Sequence, residues 1–126
     1  MAQPLVYVDT SDVRQGARGE LERAIEELAK FVEANVPEVL AYSVHLSDDG
    51  GEMTVVHVHA DSASLESHLE TGGPAFRELA DLVTLKAIHV YGEPSERALE
   101  QLRAKARALG SGQVVVHTRA AGFSRL

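Results

Sequence analysis

The sequence predicts an α+β domain on a split β-α-β plan, in which two helices cover one face of an antiparallel sheet. Three observations carry that prediction. A strand-like run, PLVYVDTSD, passes into a long amphipathic helical segment; two strand-like runs are joined by the turn Ser47-Asp48-Asp49-Gly50-Gly51; and a second helical segment leads into a fourth strand, LVTLKAIHVY. That order, β-α-β-β-α-β, is the ferredoxin-like arrangement. A further helix and strand follow, so one domain is expected over residues 1–126, with its core at about 4–94 and an extension at about 95–126. A chain of 126 residues can bury one core unaided.

The first strand, about residues 4–12, is rich in β-formers and alternates weakly. In ELERAIEELAKFVEAN, Leu21, Ile25, Leu28, Phe31 and Val32 recur at helical spacing, and charged residues such as Glu22, Glu26 and Lys30 cover the other face. Asn35 and Pro37 predict its end, because proline has no N–H for the ladder and disfavours helix at the residue before it. Residues 39–60 read as a hairpin whose turn glycines supply positive φ cheaply. Asp61 or Ser62 caps the next helix, whose inner face carries Leu65, His68 and Leu69. Gly72-Gly73-Pro74 predicts a break, after which PAFRELADL resumes helix. Ser95 caps a third helix with Leu99, Leu102, Ala106 and Leu109 inward and Gly110 as its stop, and GQVVVHTR is a fifth strand.

Composition narrows the function. A net charge of -7, from 12 basic and 19 acidic residues, disfavours nucleic acid, whose affinity rests on neutralising phosphates. With no cysteine, disulfides, thiolate ligands and a cysteine nucleophile are excluded, so any metal site must use His, Asp or Glu. The start has no basic-then-apolar leader and no apolar run reaches the about 20 residues of a membrane span, so a cytoplasmic protein without membrane contact is expected.

Sorting the strands by parity groups Val6, Val8, Leu40, Tyr42, Val44, Leu46, Val56, Val58, Ile88 and Val90 on one face. The other set holds Tyr7, Ser43, His45, Met53, Val55, His57, His59, Ala87, His89 and Tyr91. Neither set is a plain solvent face, and two helices cover only one, so a homodimer is expected to cover the other.

Several motifs resemble the antibiotic-biosynthesis-monooxygenase (ABM) family of small dimeric α/β-barrel proteins. DVRQGARGELERA is similar to the family's exit from its first strand, and AYSVHL, with Tyr42 and His45, to its second-strand Tyr-x-x-His pattern. HVHADSASLESHLETGGPAF is similar to a third strand ending Glu-x-Trp followed by a capped helix with Leu-x-x-His, here Leu65 and His68. This chain has His57-x-His59 in place of Glu-x-Trp and no tryptophan. The resemblance implies a dimeric barrel, no cofactor, and oxygenation of a small aromatic or quinol. It places His59 at the pocket position. Haem-degrading relatives carry a histidine four residues after a helix phenylalanine; Phe76 is followed there by Ala80, so haem is not expected.

On this reading His59 is the first candidate base, with His45 and His68 as further catalytic candidates. Tyr42, Val55, His57, Leu65, Phe76 and His89 are expected to line the substrate pocket. A neutral histidine, with an ordinary pKa of about 6.5, accepts a phenolic proton near neutral pH, and the resulting phenolate or carbanion reacts with oxygen. Two other readings stand beside it. His57 and His59 point the same way, about 6.7 Å apart along a strand, and can share a metal ion if His45 or His89 supplies a third ligand. Alternatively each imidazole is a satisfied structural group. Gly50-Gly51 and Gly72-Gly73 lie in no phosphate-binding context, and Ser62, Ser64 and Ser67 lie in no nucleophile elbow. The expected function is therefore a cofactor-independent monooxygenase-like protein, the alternative being a non-catalytic small-ligand-binding or interaction protein of the same fold.

Overall fold

The computed structural model describes residues 4–126. Its elements are β1 (Leu5–Val13), α1 (Arg18–Asn35), β2 (Val39–Leu46), β3 (Glu52–His59), α2 (Ser62–Phe76), β4 (Val83–Tyr91), α3 (Glu96–Leu109) and β5 (Gly110–His117), with a short 3-10 turn at Arg77–Leu79. The sheet order is β2-β3-β1-β4-β5, which is the ferredoxin-like sheet with one added edge strand. Only the β4–β5 pair is parallel, and α3 is its crossover. The added strand pairs with β4 of its own chain. Among the described residues no helix is long and apolar enough to cross a membrane.

All three helices pack on one face of the sheet. They bury Leu21, Leu28 and Val32 from α1, Leu65, Leu69 and Phe76 from α2, and Leu102, Ala106 and Leu109 from α3. Phe31, expected inward, is 36% exposed. The hairpin turn forms as its chemistry requires: Gly50 sits at φ 73, and the Asp49 carboxylate accepts from the Gly51 N–H and the Ser47 hydroxyl. Asp61 caps α2 by accepting from the Ser64 N–H at 2.9 Å, and Ser95 caps α3 by accepting from the Ala98 N–H at 3.1 Å.

Two sequence expectations are corrected. The helix does not break at Gly72-Gly73-Pro74; α2 runs through it to Phe76. A residue before proline is normally driven out of helix by a clash with its Cβ, and Gly73 has none. The bare flank of Gly72 lets the Phe76 ring in so closely that a Cβ there would lie 3.0 Å from it. The pooling of strand faces also fails. Tyr7, Met53, Val55, His57 and His59 share the helix-covered face with Tyr42, Val44, Leu46, Ile88 and Val90, whereas His45, Ser43, His89 and Tyr91 lie on the open face with Val6, Val8, Val56 and Val58. Parity orders residues within a strand, but relating one strand to the next needs register: Tyr42 pairs with His57 and Val90 with Tyr7, an even position with an odd one each time, and two bulges elsewhere interrupt the ladders. Leu40 is the extra residue between Val39 and Ala41, and Lys86 between Leu85 and Ala87.

Candidate active site

The helix-covered face has a polar centre. Along β1 the inward positions are Leu5, Tyr7, Asp9 and Ser11, and along β3 they are Met53, Val55, His57 and His59. Antiparallel pairing sets Tyr7 opposite His57, and the two rings stack at 3.7 Å between centroids with 8° between planes. Tyr42 of β2 pairs with His57 from the other side and meets it edge-on at 5.1 Å. From above, α2 lowers His68 onto this layer, 5.1 Å from both the His57 and His59 rings and 5.4 Å from Phe76. His57, His59 and His68 are all completely buried.

Their hydrogen bonds fix which nitrogens are free. Asp9 accepts from His57 Nε2 at 3.2 Å and from the Lys105 ammonium at 3.0 Å, so His57 Nδ1 carries the lone pair. Ser64 donates its hydroxyl to the Glu38 carbonyl at 3.4 Å and accepts from His59 Nδ1 at 2.9 Å, which leaves the lone pair on His59 Nε2. These free nitrogens, both nitrogens of His68, and the Tyr7 and Tyr42 hydroxyls are buried without a hydrogen-bond partner.

Electrostatics keep the imidazoles neutral. Burial pushes His57 and His59 down to about 4, against the opposing pull of Asp9 on the first and Asp61 on the second. His68 is pushed down to about 2 by burial and by its neighbours His57, Lys105 and His59. For Asp9 burial acts upward, but the Lys105 charge and the His57 hydrogen bond outweigh it and hold the carboxyl at about 2. Burial raises both phenols, and the Asp9 charge adds to it.

Lys105 is also the boundary between two spaces. Its ammonium lies 4.2 Å from the centre of the Phe76 ring. Outside this pair, a cleft of about 210 Å³ between α2 and α3 is lined by Leu69, Gly73, Gln101, Ala104 and Ala108 among others. Inside it, a void of about 20 Å³ touches Asp9, Tyr42, Val55, His57 and Phe76.

Of the sequence-expected site residues, the fold brings together His57, His59, His68, Tyr42, Val55, Leu65 and Phe76 on the covered side of the sheet. It does not bring His45 or His89, both of which face away. His45 contacts Ser43 at 3.0 Å, and His89 pairs with His117 at 2.9 Å under a stack that includes Tyr91. Neither is placed to complete a His57–His59 metal set; His68 stands there instead. Sequence reasoning missed Asp9, Lys105, Tyr7 and the outer role of Ser64. Two of these carried a signal: Asp9 is an acid at an inward strand position, and Lys105 is a cation within the apolar spacing of Leu102, Ala106 and Leu109.

Comparison with curated proteins returns no match. Among solved structures, the fold is similar to MupZ from Pseudomonas fluorescens, at TM-score 0.73 and 15% identity over 98% of this chain and 95% of that one. It is also similar to SnoaB, a cofactor-independent oxygenase from Streptomyces nogalater (TM-score 0.62, 20% identity, 75% of this chain and 96% of that one). Rv0793 from Mycobacterium tuberculosis is similar at TM-score 0.62 and 19% identity, over 75% and 98%. At these identities the likeness concerns the fold. The sequence itself matches the antibiotic biosynthesis monooxygenase family over residues 4–82, well over half its length, and this chain belongs to that family.

Proposed function

We propose that the protein oxygenates a small aromatic or quinol, with His57 as the base and without a cofactor, the structurally similar SnoaB being a cofactor-independent oxygenase. The observation that carries this is the buried Asp9–His57 pair, whose geometry leaves the Nδ1 lone pair free against aromatic walls. His57 is preferred to His59 because a carboxylate, rather than a hydroxyl, backs it and stabilises the imidazolium formed on proton uptake. The 210 Å³ cleft suits a one- or two-ring molecule, since a cavity of about 150 Å³ takes benzene. Lys105 and Phe76 line both that cleft and the inner void, so displacing them would join the two spaces. Where the acidic position is a ring CH₂, the base removes one proton and the carbanion adds O₂. The hydroperoxide then loses water, so that CH₂ and O₂ become C=O and H₂O.

Oxygen uptake with a panel of quinols and anthrones tests this. His57→Gln and Asp9→Asn are expected to lower the rate at least 100-fold and about 10-fold respectively. Equal rates in wild type and His57→Gln would remove the base, and His59→Ala tests the alternative imidazole in the same way. A second reading, ligand binding without turnover, is favoured by the smallness of the inner void, about 20 Å³. Saturable binding with no oxygen uptake across the panel would select it.

We also propose a homodimer through the open sheet face. Supporting it are the half-buried Val6, Val8, Val56 and Val58 and the exposed Tyr91 on one surface. A monomer by light scattering at micromolar concentration would overturn it.

A further inference from the structure

We propose that His57, His59 and His68 form a binding site for one divalent transition-metal ion of the zinc class. Two ligands come from alternate positions of β3 and the third from α2. One imidazole nitrogen from each lies within 4.8 Å of one from each of the others. A tetrahedral zinc site with Zn–N of about 2.05 Å holds its nitrogens about 3.3 Å apart, so each pair of nitrogens needs to close in by at most about 1.5 Å from the observed 4.8 Å.

The surroundings are those of a ligand set rather than of an ordinary core. A metal-bound histidine characteristically donates its other N–H to a carboxylate, hydroxyl or carbonyl, which aims the lone pair at the ion. His57 does so to Asp9, and His59 does so to Ser64, itself anchored on the Glu38 carbonyl. The nitrogens left over are buried and unpartnered. Each such group carries an uncompensated desolvation penalty that leucine at these positions would avoid and that a metal–nitrogen bond removes. Neutral imidazoles need lose no proton before binding. The donor set, three nitrogens without sulfur, suits zinc, copper, iron or nickel, and three protein ligands leave a fourth position open. Binding does not depend on the base reading above, but one consequence does: the ion and the substrate proton compete for the same His57 lone pair, so a loaded site has no free base.

The experiment uses untagged, chelator-stripped protein titrated with Co²⁺ and with Zn²⁺ against a chromophoric chelator. Expected are one equivalent per chain, intense visible bands from tetrahedral Co²⁺, and a metal-dependent rise in Tm. His59→Gln and His68→Gln should each weaken binding at least 100-fold, whereas the surface variant His89→Gln/His117→Gln should bind as wild type does. His68→Leu, expected to be at least as stable as the metal-free wild type, separates loss of a ligand from loss of fold by circular dichroism. The proposal is overturned by no binding at micromolar metal, by wild-type affinity in His68→Gln, or by binding that disappears only with the His89/His117 pair. The base reading fails separately, through unchanged oxygen uptake by metal-free His57→Gln.

Discussion

Lys105→Met removes the cation from the buried Asp9–Lys105 pair while keeping most of the side chain's volume. The two side chains are 9% and 4% exposed and their charged atoms lie 3.0 Å apart, so water screens them little. Without the ammonium, Asp9 is a carboxylate in the interior with only the neutral His57 to hold it, and breaking such a pair costs about 3–5 kcal/mol. Against a typical domain stability of roughly 5–15 kcal/mol, that is a large fraction. Urea denaturation near neutral pH should therefore show a lower midpoint for Lys105→Met. The double variant Asp9→Asn/Lys105→Met should recover to within about 1 kcal/mol of wild type, because the orphaned charge is gone. Acid gives an independent check. In wild type Asp9 is held at about 2, below its ordinary 3.8, so its contribution is present above pH 3.8 and lost as pH falls toward 2. In Lys105→Met burial drives the same carboxyl above its ordinary value, so the variant's deficit should shrink as pH falls toward about 4. Additive losses in the double variant, with coupling under about 1 kcal/mol, would refute the reasoning.

In metal-free protein His57 and His59 sit at about 4, below their ordinary 6.5, so the unfolded chain takes up protons that the folded one refuses. Stability should be complete above pH 6.5 and fall below it, by about 2 kcal/mol per imidazole at about pH 5 in urea melts; a flat profile would refute their neutral burial. Gly110→Ala places a Cβ 2.6 Å from the Leu85 carbonyl oxygen and 2.8 Å from its nitrogen, where β5 presses on β4. It should cost about 1–3 kcal/mol or more, read as a drop in Tm, since backbone cannot move aside as a flexible side chain does. Gly19→Ala is the matching control: it lies in α1 with nothing within 4 Å of the new Cβ, and should raise stability by about 0.4–1 kcal/mol.

The element order, both polar N-caps and the hairpin turn were legible because each follows from local chemistry: a periodicity, a side-chain oxygen, a glycine at positive φ. The His57–His59 relation was legible too, as a property of one strand. What lay beyond was anything that depends on how strands register. Without the cross-strand register, which sets Tyr42 opposite His57 and Val90 opposite Tyr7, no parity count places Tyr42 with His57 and sends His45 and His89 to the other face. The run of α2 through Pro74 was hidden for a related reason. The pattern Gly-Gly-Pro reads as a breaker, yet the same two glycines remove the clashes that make proline break a helix. The Asp9–Lys105 contact joins residues from the first and the penultimate secondary elements, and no short window of sequence contains both.

That separation, 96 residues along the chain, sets an order of events during synthesis. β1 leaves the ribosome before α3 and carries a charge destined for the interior, while the cation that balances it follows only with α3. A nascent chain that has completed only the segment matched by the family has Asp9 with no ammonium to meet, and burying it there is uphill. Collapse of the sheet's centre is therefore expected to wait for α3, which brings the balancing charge.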